Sequence, residues 1–554
     1  MTSFEDFAKV CSRIEAISGS LEMTSVVAGF LREVDDNELE IASRFIMGRV
    51  FPVWSGEELG IGPSLLYSAI SKISSLEVKR IEEFVRDTGD VGLAAEKATA
   101  SGKKHLDFFS SERLSITDVY SRFQTIAHLA GKRSQDAKIK NLQYLLGASR
   151  PGETAYIARL AIEEMRIGVG EGIVRDAIAE AFNVPEEMVE RGYMLTNDFG
   201  LVAYTAKKEG KRGLEKLGVV PGKPLKAMLA QVSAGIKEAV EEMGSVAVEW
   251  KFDGARVQIH KDGSNITIYS RKLENVTSSL PDIVKAVKSC VLGKSAILDG
   301  EAVAIGKDNR PMAFQEILRR FRRKYDISET ALDIPLNLNL FDIMFLNGET
   351  LIDLPLRERR KKLEEVCAEN IVAKQTVTDN VAAIESIYKE ALAAGHEGVV
   401  LKNPDSLYTP GKRGKNWLKL KPVMETLDLA VIGGEWGEGR RTKLIGSYLL
   451  ACRDADTDRF LSIGRVATGI TDGMLEELTN LFKELVISES GIHLDFEPKI
   501  VFEVAFEEIQ KSPNYDSGYA LRFPRLVNVR GDKSAEDADS IDKVEQLFVR
   551  QKGR

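Results

Sequence analysis

The sequence predicts three kinds of domain in one chain: an all-helical domain, an α+β domain and a small β-barrel. Three observations support this. The chain has 554 residues, too many for a single hydrophobic core. Its pattern changes after residues 218–224, which contain two prolines and two glycines, and again near Pro422. We therefore expect domains at 1–217, 218–422 and 423–554.

Residues 1 to about 215 show apolar residues at spacings of three and four, which is typical of amphipathic helices. Clear examples are 136–146 and 154–165, separated by a Pro-Gly turn. The segment 166–172, Arg-Ile-Gly-Val-Gly-Glu-Gly, then leads into another helix. A glycine-rich turn that opens a helix presents backbone N–H groups to an anion. Phosphate contact and a simple helix-to-helix turn are equally favoured at this point.

After residue 224, strand-like runs with Asp-Gly or Asn-Gly turns alternate with helices, which indicates an α+β domain. We expect residues 228–232 to lie on the first helix of this region. Beyond Pro422 the chain shows short strands and glycine clusters, with a helix predicted over 472–485 and a closing helix over 539–549. About 130 residues of this kind fit a small barrel such as an OB-fold.

Composition excludes several classes of protein. Hydrophobic residues make up 44% and charged residues 29%, as in ordinary globular proteins. No stretch approaches the roughly 20 apolar residues of a membrane span, and the first residues lack a secretory pattern, so we expect a cytoplasmic protein. The four cysteines form no Cys-x-x-Cys pair, which excludes a tetra-cysteine zinc module. The net charge of −8 argues against a globally basic nucleic-acid-binding protein, but it allows local basic surfaces.

One stretch, 246–256, concentrates the chemistry of the middle domain. Val246, Val248 and Trp250 alternate as in a half-buried strand that ends on Lys251. Asp-Gly follows at 253–254, and a second alternating run begins at residue 256, which predicts a β-hairpin. A lysine at this position suits a covalent amine nucleophile, although a solvated hairpin lysine fits the short motif equally well.

Further polar groups lie on strands predicted downstream. Asp299 and Glu301 are two residues apart and share a strand face, Phe341 and Asp342 lie in an apolar run, and 397–402 and 417–421 add one carboxylate and three lysines. Neighbouring cations lower the pKa of an amine nucleophile. Carboxylates are ligands that Mg²⁺ takes together with substrate phosphates. An aromatic ring can stack on a base. The lysines, the carboxylates and the aromatic ring together suit the chemistry of nucleotidyl transfer.

In this order the motifs resemble the covalent nucleotidyltransferase superfamily, and the whole chain resembles the ATP-dependent DNA ligases of archaeal and eukaryotic type. The resemblance rests on Lys251-Phe-Asp-Gly254, Ser270-Arg271 with 274–277, Asp299-Gly-Glu301, Phe341-Asp342, 397–402, 417–421, and 522–525 with 530–533. The helical first domain with its Arg-Ile-Gly-Val-Gly-Glu segment extends it. Seven motifs in order make the resemblance specific.

The resemblance implies an enzyme that seals 5′-phosphate/3′-hydroxyl nicks in duplex DNA during replication, repair and recombination. Lys251 attacks the α-phosphate of ATP, releases pyrophosphate and carries AMP; the adenylate passes to the 5′-phosphate, and the 3′-hydroxyl then displaces AMP. The implied nucleotide contacts are Glu249, Arg256, Arg271, Glu301, Phe341, Arg413, Lys419, Lys421, Arg522, Arg525, Arg530 and Lys533. Glu301 and Glu397 would bind Mg²⁺ or Mn²⁺. The segment 522–533 would orient pyrophosphate in the first step and then move away.

For a ligase, the basic runs favour contact with DNA phosphates. The residues concerned are Arg166, Gly168, Gly170, Arg319, Arg320, Arg322 and Arg323, with 132–133, Lys138 and Lys140 as further cations. An exposed basic helix face is the alternative for 319–324. Phe108 and Phe109 match the aromatics of a short sliding-clamp motif, although His105 replaces its glutamine; two core aromatics fit equally well. We expect a monomer that associates with the nucleoid when on DNA.

Three other functions fit the sequence less well. An mRNA capping guanylyltransferase shares the Lys-x-Asp-Gly motif, but it does not need about 215 helical residues in front and forms a guanylate adduct. An RNA ligase likewise usually lacks such a domain. A non-catalytic DNA-binding module would not need Lys251 and its surrounding carboxylates and lysines. Dependence on NAD is disfavoured, since neither a cysteine zinc module nor an extra N-terminal nicotinamide-binding segment is evident.

Overall fold

The computed structural model describes residues 1–101, 113–131, 133–306, 310–312, 314–322, 334–422, 425–437, 444–454, 457 and 459–552. The chain divides into two compact units, Met1–Lys421 and Pro422–Arg554. The predicted boundary after residue 217 falls inside the first unit, and the one after residue 422 lies one residue beyond the division. None of the described helices has both the length and the apolar character needed to cross a membrane.

The N-terminal part of the first unit is helical, as predicted. Its helices are α1 Phe4–Glu15, α2 Ser20–Glu33, α3 Leu39–Ile46, α4 Pro63–Ser74, α5 Val78–Thr88, α6 Val91–Ser101, α7 Ile116–His128, α8 Ser134–Ala148, α9 Glu153–Ala161, α10 Glu171–Phe182, α11 Glu186–Thr196 and α12 Phe199–Lys216. The spacing of buried residues explains them: α1 buries Phe4, Phe7, Cys11 and Ile14 on one face. These faces meet in a single hydrophobic core.

The rest of the first unit contains two five-stranded sheets. Its strands are β1 Leu229–Val232, β2 Val246–Lys251, β3 Ala255–Asp262, β4 Asn265–Ser270, β5 Ser295–Ala304, β6 Leu336–Leu346, β7 Glu349–Thr350, β8 Gln375–Thr378, β9 Gly398–Lys402 and β10 Arg413–Leu420. Its helices are α13 Ile236–Met243, α14 Pro281–Cys290, α15 Phe314–Arg322, α16 Leu356–Val366 and α17 Val381–Ala393. One sheet has the order β1-β10-β9-β2-β8 and the other β4-β3-β5-β6-β7.

Two local predictions were wrong here. Residues 229–232 form strand β1, which pairs in parallel with β10, instead of lying on a helix. The predicted hairpin at Lys251 does not exist, because β2 pairs with β8 and β9 whereas β3 pairs with β4 and β5. The segment between them passes from one sheet to the other. Gly254 allows this crossing, since a Cβ there would lie 2.7 Å from the carbonyl oxygen of Ala302.

The described part of the second unit is a β domain with two α-helices. Its elements are β11 Thr426–Trp436, β12 Ile445–Asp454, β13 Arg459–Val466, α18 Asp472–Lys483, β14 Val486–Ser490, β15 His493–Phe496, β16 Val501–Ala505, β17 Glu508–Lys511, β18 Tyr519–Arg522, β19 Arg525–Val529 and α19 Ile541–Lys552. A seven-stranded sheet runs β13-β12-β11-β15-β14, and β16 joins β11 to β19. The predicted fold class, a helical domain followed by α+β and β domains, is confirmed.

Candidate active site

Lys251 is the last residue of β2, next to the point where the chain leaves one sheet for the other. Its backbone carbonyl accepts a hydrogen bond from the N–H of Glu397 at 2.9 Å. Its Nζ lies 2.6 Å from Glu397 Oε2, and Lys421 Nζ lies 2.7 Å from the same oxygen. All three side chains are about one-fifth to one-quarter exposed. The amine is therefore accessible and is held between two strands by a carboxylate.

The close packing of β9 and β10 explains a glycine beside Glu397. Gly398 has a φ of +132°, and a Cβ there would lie 2.2 Å from the carbonyl oxygen of Leu420. No side chain fits this position, so the Glu-Gly pair has a structural reason. The glycine brings the backbone of β9 against β10 and places Glu397 between the two lysines.

Two carboxylates near Lys251 have pKa values shifted in opposite directions. Burial alone would raise the pKa of Glu397, but the ammonium groups of Lys251 and Lys421 lower it below its ordinary value. Burial raises the pKa of Glu301 to about 8, although Lys251 and Arg256 oppose the rise. A carboxylate pair of this kind can bind a hard cation, because a divalent ion would favour the charged form of both groups.

Glu249 lies two residues before Lys251 and is almost fully buried. Its Oε2 accepts a hydrogen bond from Lys402 Nζ at 2.6 Å, and its Oε1 accepts one from Gln375 Nε2 at 2.7 Å. The Lys402 ammonium also lies 4.5 Å from the ring centre of Phe341 and 4.3 Å from that of Trp417. The expected nucleotide contacts Glu249 and Phe341 are thus brought together around one buried lysine.

Arg256 and Asp299 form a second buried pair. The guanidinium donates from Nε to Asp299 Oδ1 at 3.0 Å and from Nη2 to Oδ2 at 2.5 Å. Its Nη1 donates to the carbonyl oxygen of Met228 at 2.7 Å. On the neighbouring strand, Glu301 lies directly opposite Arg256. Arg256 is therefore held rigidly beside the carboxylates, with its charge largely balanced by Asp299.

Phe341 is part of an aromatic cluster. Its ring meets that of Trp417 edge to face, with centres 6.2 Å apart, and the Arg256 guanidinium lies 5.5 Å from its centre. The next residue, Asp342, is completely buried and forms a bidentate pair with Arg359, at 2.8 and 2.9 Å. The pair anchors the strand that carries Phe341.

The comparisons with known proteins cover the same regions. Residues 227–421 match the family model "ATP dependent DNA ligase domain", residues 3–179 match "DNA ligase N terminus" and residues 441–533 match "ATP dependent DNA ligase C terminal region". The chain is 56% identical over 564 residues to "DNA ligase 2" of Methanosarcina mazei, covering 100% of this chain and 99% of the relative. It is 51% identical to "DNA ligase" of Archaeoglobus fulgidus, covering 98% of each chain.

The chain belongs to the ATP-dependent DNA ligase family, in its archaeal form. A solved structure named Pmar-Lig_PreS3 shares the fold, with a TM-score of 0.58, 18% identity and coverage of 95% of this chain and 99% of that chain. The predicted family, enzyme class and function are confirmed: the protein is an ATP-dependent ligase that seals nicks in DNA. A covalent lysyl-AMP intermediate is general to this family.

Three further expected phosphate contacts of this ligase lie in the first unit, two of them exposed and one half-buried. Arg413 begins β10 and is exposed, Lys419 lies on the same strand, and Arg271 is exposed just after β4. Arg271 lines a cavity of about 500 Å³ whose other walls include Arg49 and Tyr193 of the helical part. Arg271 therefore lies where the helical and catalytic parts of the first unit meet.

The expected contacts in the second unit have partners within that unit. Arg522 Nη1 lies 3.2 Å from Glu508, and Arg530 pairs with Asp428 and Asp532 at 3.1 and 2.7 Å. Lys533 Nζ lies 2.6 Å from Asp428, and Arg525 is exposed at the start of β19. The ion pairs hold these cations in a fixed arrangement on the β domain.

The glycine turn expected to contact DNA precedes α10 as predicted. Gly168 has a φ of +77°, and Gly170 is the residue before the first turn of the helix. Arg166 is exposed, and its Nη1 donates to the carbonyl oxygen of Gly89 at 2.7 Å. The turn is exposed at its glycines, which leaves both phosphate contact and a simple helix junction compatible with the geometry.

The prediction that Arg320 contacts DNA was wrong. Its side chain is 1% exposed, donates to Asp282 at 2.8 Å, and also donates to the carbonyl oxygens of Ile334 and Ser279. It is a core residue, whereas Arg319 is exposed and pairs with Glu316. The side chain of Arg322 and the residues Lys132, Arg323, Phe108 and Phe109 lie outside the described part of the chain.

Three residues of the site were missed by sequence reasoning: Gln375, Tyr408 and Arg359. Gln375 lies opposite Glu249 on the paired strand β8. Tyr408 contacts Asp299, and Arg359 contacts Asp342. None of them lies in a recognisable motif, so only the packing of the sheets brings them to the pocket.

Proposed function

We propose that Lys251 is the residue that accepts AMP from ATP. Its neutral amine attacks the α-phosphorus, a P–N bond forms, and the bond to the pyrophosphate oxygen breaks while the nitrogen loses a proton. The supporting observation is the 2.6 Å contact between Lys251 Nζ and Glu397, because a carboxylate at this distance can hold or accept the ammonium proton. The adenylate then passes to the 5′-phosphate of a nick.

The surrounding groups are proposed to bind the nucleotide. Phe341 offers a ring for stacking on adenine, worth roughly 1–3 kcal/mol by the precedent of base–aromatic contacts. Glu249 is proposed to recognise the adenine amine close to Lys251, with its carboxylate oriented by Lys402 and Gln375. The cations proposed to bind phosphates in the first unit are Arg256, Arg271, Arg413, Lys419 and Lys421. Fixed cations stabilise developing phosphate charge because they need no reorganisation.

Glu301 and Glu397 are proposed to hold Mg²⁺ or Mn²⁺ together with the phosphates of ATP. Within the described residues, no group of three or more His, Cys, Asp or Glu side chains is placed to bind a metal. A two-carboxylate site still fits, because Mg²⁺ commonly takes one or two carboxylates and completes its shell with phosphate and water. The bound ion would neutralise charge on the transferred phosphate.

We also propose roles for the surfaces outside the pocket. Arg166, Gly168, Gly170 and Arg319 are proposed to contact the DNA backbone, and Arg522, Arg525, Arg530 and Lys533 to contact pyrophosphate. We propose that the ligase acts as a monomer in the cytoplasm, on nucleoid DNA, with a sliding clamp bound through Phe108 and Phe109. Clamp binding unchanged in a Phe108→Ala/Phe109→Ala double variant would reject that last contact.

The central proposal is tested with ATP labelled on the α-phosphate and Mg²⁺. We expect a covalent adduct that disappears in Lys251→Ala and remains in Lys261→Ala, whose ammonium bonds the backbone carbonyl of Gly293 in the same domain. Labelled GTP in parallel tests a guanylyltransferase, and nicked duplexes with DNA or RNA on either side of the nick test the polymer. An adduct that survives Lys251→Ala, or no adduct with any nucleotide, would reject the proposal.

A further inference from the structure

Tyr408 lies behind the nucleotide pocket, in the loop between β9 and β10, and is only 2% exposed. Its hydroxyl donates a hydrogen bond to Asp299 Oδ2 at 2.8 Å and accepts one from the backbone N–H of Met228 at 3.1 Å. Arg256 Nη2 lies 3.5 Å from the hydroxyl oxygen of Tyr408. Because Asp299 also accepts both bonds from Arg256, a single hydroxyl helps to fix the carboxylate that holds this arginine.

Met228 extends this arrangement to the helical part of the first unit. Its carbonyl oxygen accepts the bond from Arg256, while two residues earlier the backbone N–H of Lys226 donates to the carbonyl oxygen of Met194 on α11 at 3.1 Å. Lys226 Nζ bonds both carboxylate oxygens of Glu171, at 2.5 and 2.7 Å. The segment 226–228 is therefore bonded to Tyr408 and Arg256 on one side and to the helical part on the other.

The ring of Tyr408 also supports the proposed adenine platform. It meets Trp417 edge to face, with ring centres 6.0 Å apart, and Trp417 meets Phe341 in the same way. The guanidinium of Arg359 lies 5.7 Å from the ring centre of Tyr408. Arg359 pairs with Asp342, the residue after Phe341. Tyr408 therefore contacts Asp299, which holds Arg256, and Arg359, which anchors the strand of Phe341.

We propose that Tyr408 is a positioning residue for the transfer of AMP to Lys251. Through Asp299 and Met228, its hydroxyl holds Arg256 in the orientation that the nucleotide requires. Removing the hydroxyl would leave Asp299 with Arg256 alone and the N–H of Met228 buried without this acceptor. The paired side chains could then shift, and a displacement of about 1 Å in a group that orients a substrate can cost about 100-fold in rate. The inference rests on the proposed role of Lys251.

The experiment compares Tyr408→Phe with Tyr269→Phe. Tyr269 is a matched control because it is 3% exposed, lies in the same domain and donates its hydroxyl hydrogen to the backbone carbonyl of Gly222 at 2.6 Å. Single-turnover adduct formation is measured against ATP concentration, and melting temperature is recorded. At saturating ATP we expect Tyr408→Phe to be at least about tenfold slower and Tyr269→Phe to change less than about twofold, with similar losses in melting temperature. Equal slowing of both variants would overturn the inference.

A double-mutant cycle tests whether Tyr408 acts through Asp299. In an Asp299→Asn background, the effect of Tyr408→Phe should shrink to less than about threefold, because the two side chains act as one unit. A full effect in that background would overturn the inference. Should Tyr408→Phe fail to fold, 3-fluorotyrosine is placed at either position, because it keeps the ring and hydroxyl but makes the hydroxyl a stronger hydrogen-bond donor. We expect the adduct rate to change by more than about threefold at 408 and not at 269; no change at 408 would overturn the inference. Absence of any wild-type adduct would instead reject the proposed function.

Discussion

The buried pair of Glu249 and Lys402 allows a sharp test of how the pocket is stabilised. The Nζ–Oε2 distance is 2.6 Å, and the two side chains are 4% and 2% exposed. Lys402→Met removes the charge but keeps a long, flexible side chain that can fill the space between Phe341 and Trp417. Glu249 then keeps its hydrogen bond from Gln375 but loses its counter-ion in the interior.

The expected cost of Lys402→Met follows from this burial. Breaking a buried ion pair by removing one partner destabilises a protein by about 3–5 kcal/mol, because the remaining charge is uncompensated. Part of the loss is the attraction of the ammonium to two aromatic rings, at about 0.5–2 kcal/mol. Adding Glu249→Gln should restore most of the stability, since neither side chain is then charged.

The assay is urea unfolding of the first unit, followed by tryptophan fluorescence, for the two single variants and the double variant. Lys415→Met is a matched control: its Nζ also lies 2.6 Å from a carboxylate, that of Glu242, but the side chains are 71% and 41% exposed. That control should cost less than about 1 kcal/mol. If Lys402→Met costs no more than Lys415→Met, or if the double variant is less stable than Lys402→Met, the reasoning from burial is refuted.

Two further outcomes are expected. Arg320→Ala should destabilise the first unit by about 3 kcal/mol in an unfolding experiment, because it removes a buried side chain, the ion-pair partner of Asp282 and the donor to two backbone carbonyls. Arg319→Ala should leave stability unchanged and reduce the slope of the logarithm of DNA affinity against the logarithm of salt concentration by about 1. Burial lowers the pKa of His260 to about 3, so the unfolded state binds more protons below pH 6.5 and stability falls as the pH drops towards 3. His260→Gln should remove this loss. Between pH 7 and pH 5.5 the free energy of unfolding of the wild type should therefore fall by about 1 kcal/mol more than that of the variant. Identical dependence of the two unfolding free energies on pH would contradict this expectation.

The error at Lys251 shows what local sequence can decide. Val246 to Lys251 is a strand as predicted, but Asp253-Gly254 is a bend between two sheets and not the tight reversal of a hairpin. The hairpin was wrong because the partners of β2 lie at residues 375–378 and 398–402, far along the chain. An Asp-Gly pair favours a reversal within a sheet and a passage between sheets alike. Only the packing of distant strands distinguishes the two.

The error at Arg320 has a different cause. The run of five cations in six residues predicted a basic surface. On helix α15, however, successive residues point about 100° apart, so a charged run cannot face one side. Arg319 points to solvent and Arg320 points inward, where two backbone carbonyls and Asp282 accept hydrogen bonds from its two terminal nitrogens. A basic run on a helix therefore needs its buried positions identified before phosphate contacts are assigned.

The charged residues of the motifs around Lys251 have two kinds of role: some form buried ion pairs, and others leave positive charge in the pocket. Several motif residues neutralise one another in buried pairs: Glu249 with Lys402, Arg256 with Asp299, and Asp342 with Arg359. Next to the proposed nucleophile, the ammonium groups of Lys251 and Lys421 share the single carboxylate of Glu397. Burial raises the pKa of Glu301 to about 8, so this carboxyl offsets less positive charge than an exposed glutamate would. Two ammonium groups against one ionised carboxylate leave an excess of positive charge, to which the proposed phosphate contacts Arg271, Arg413 and Lys419 add, and this excess favours a triphosphate.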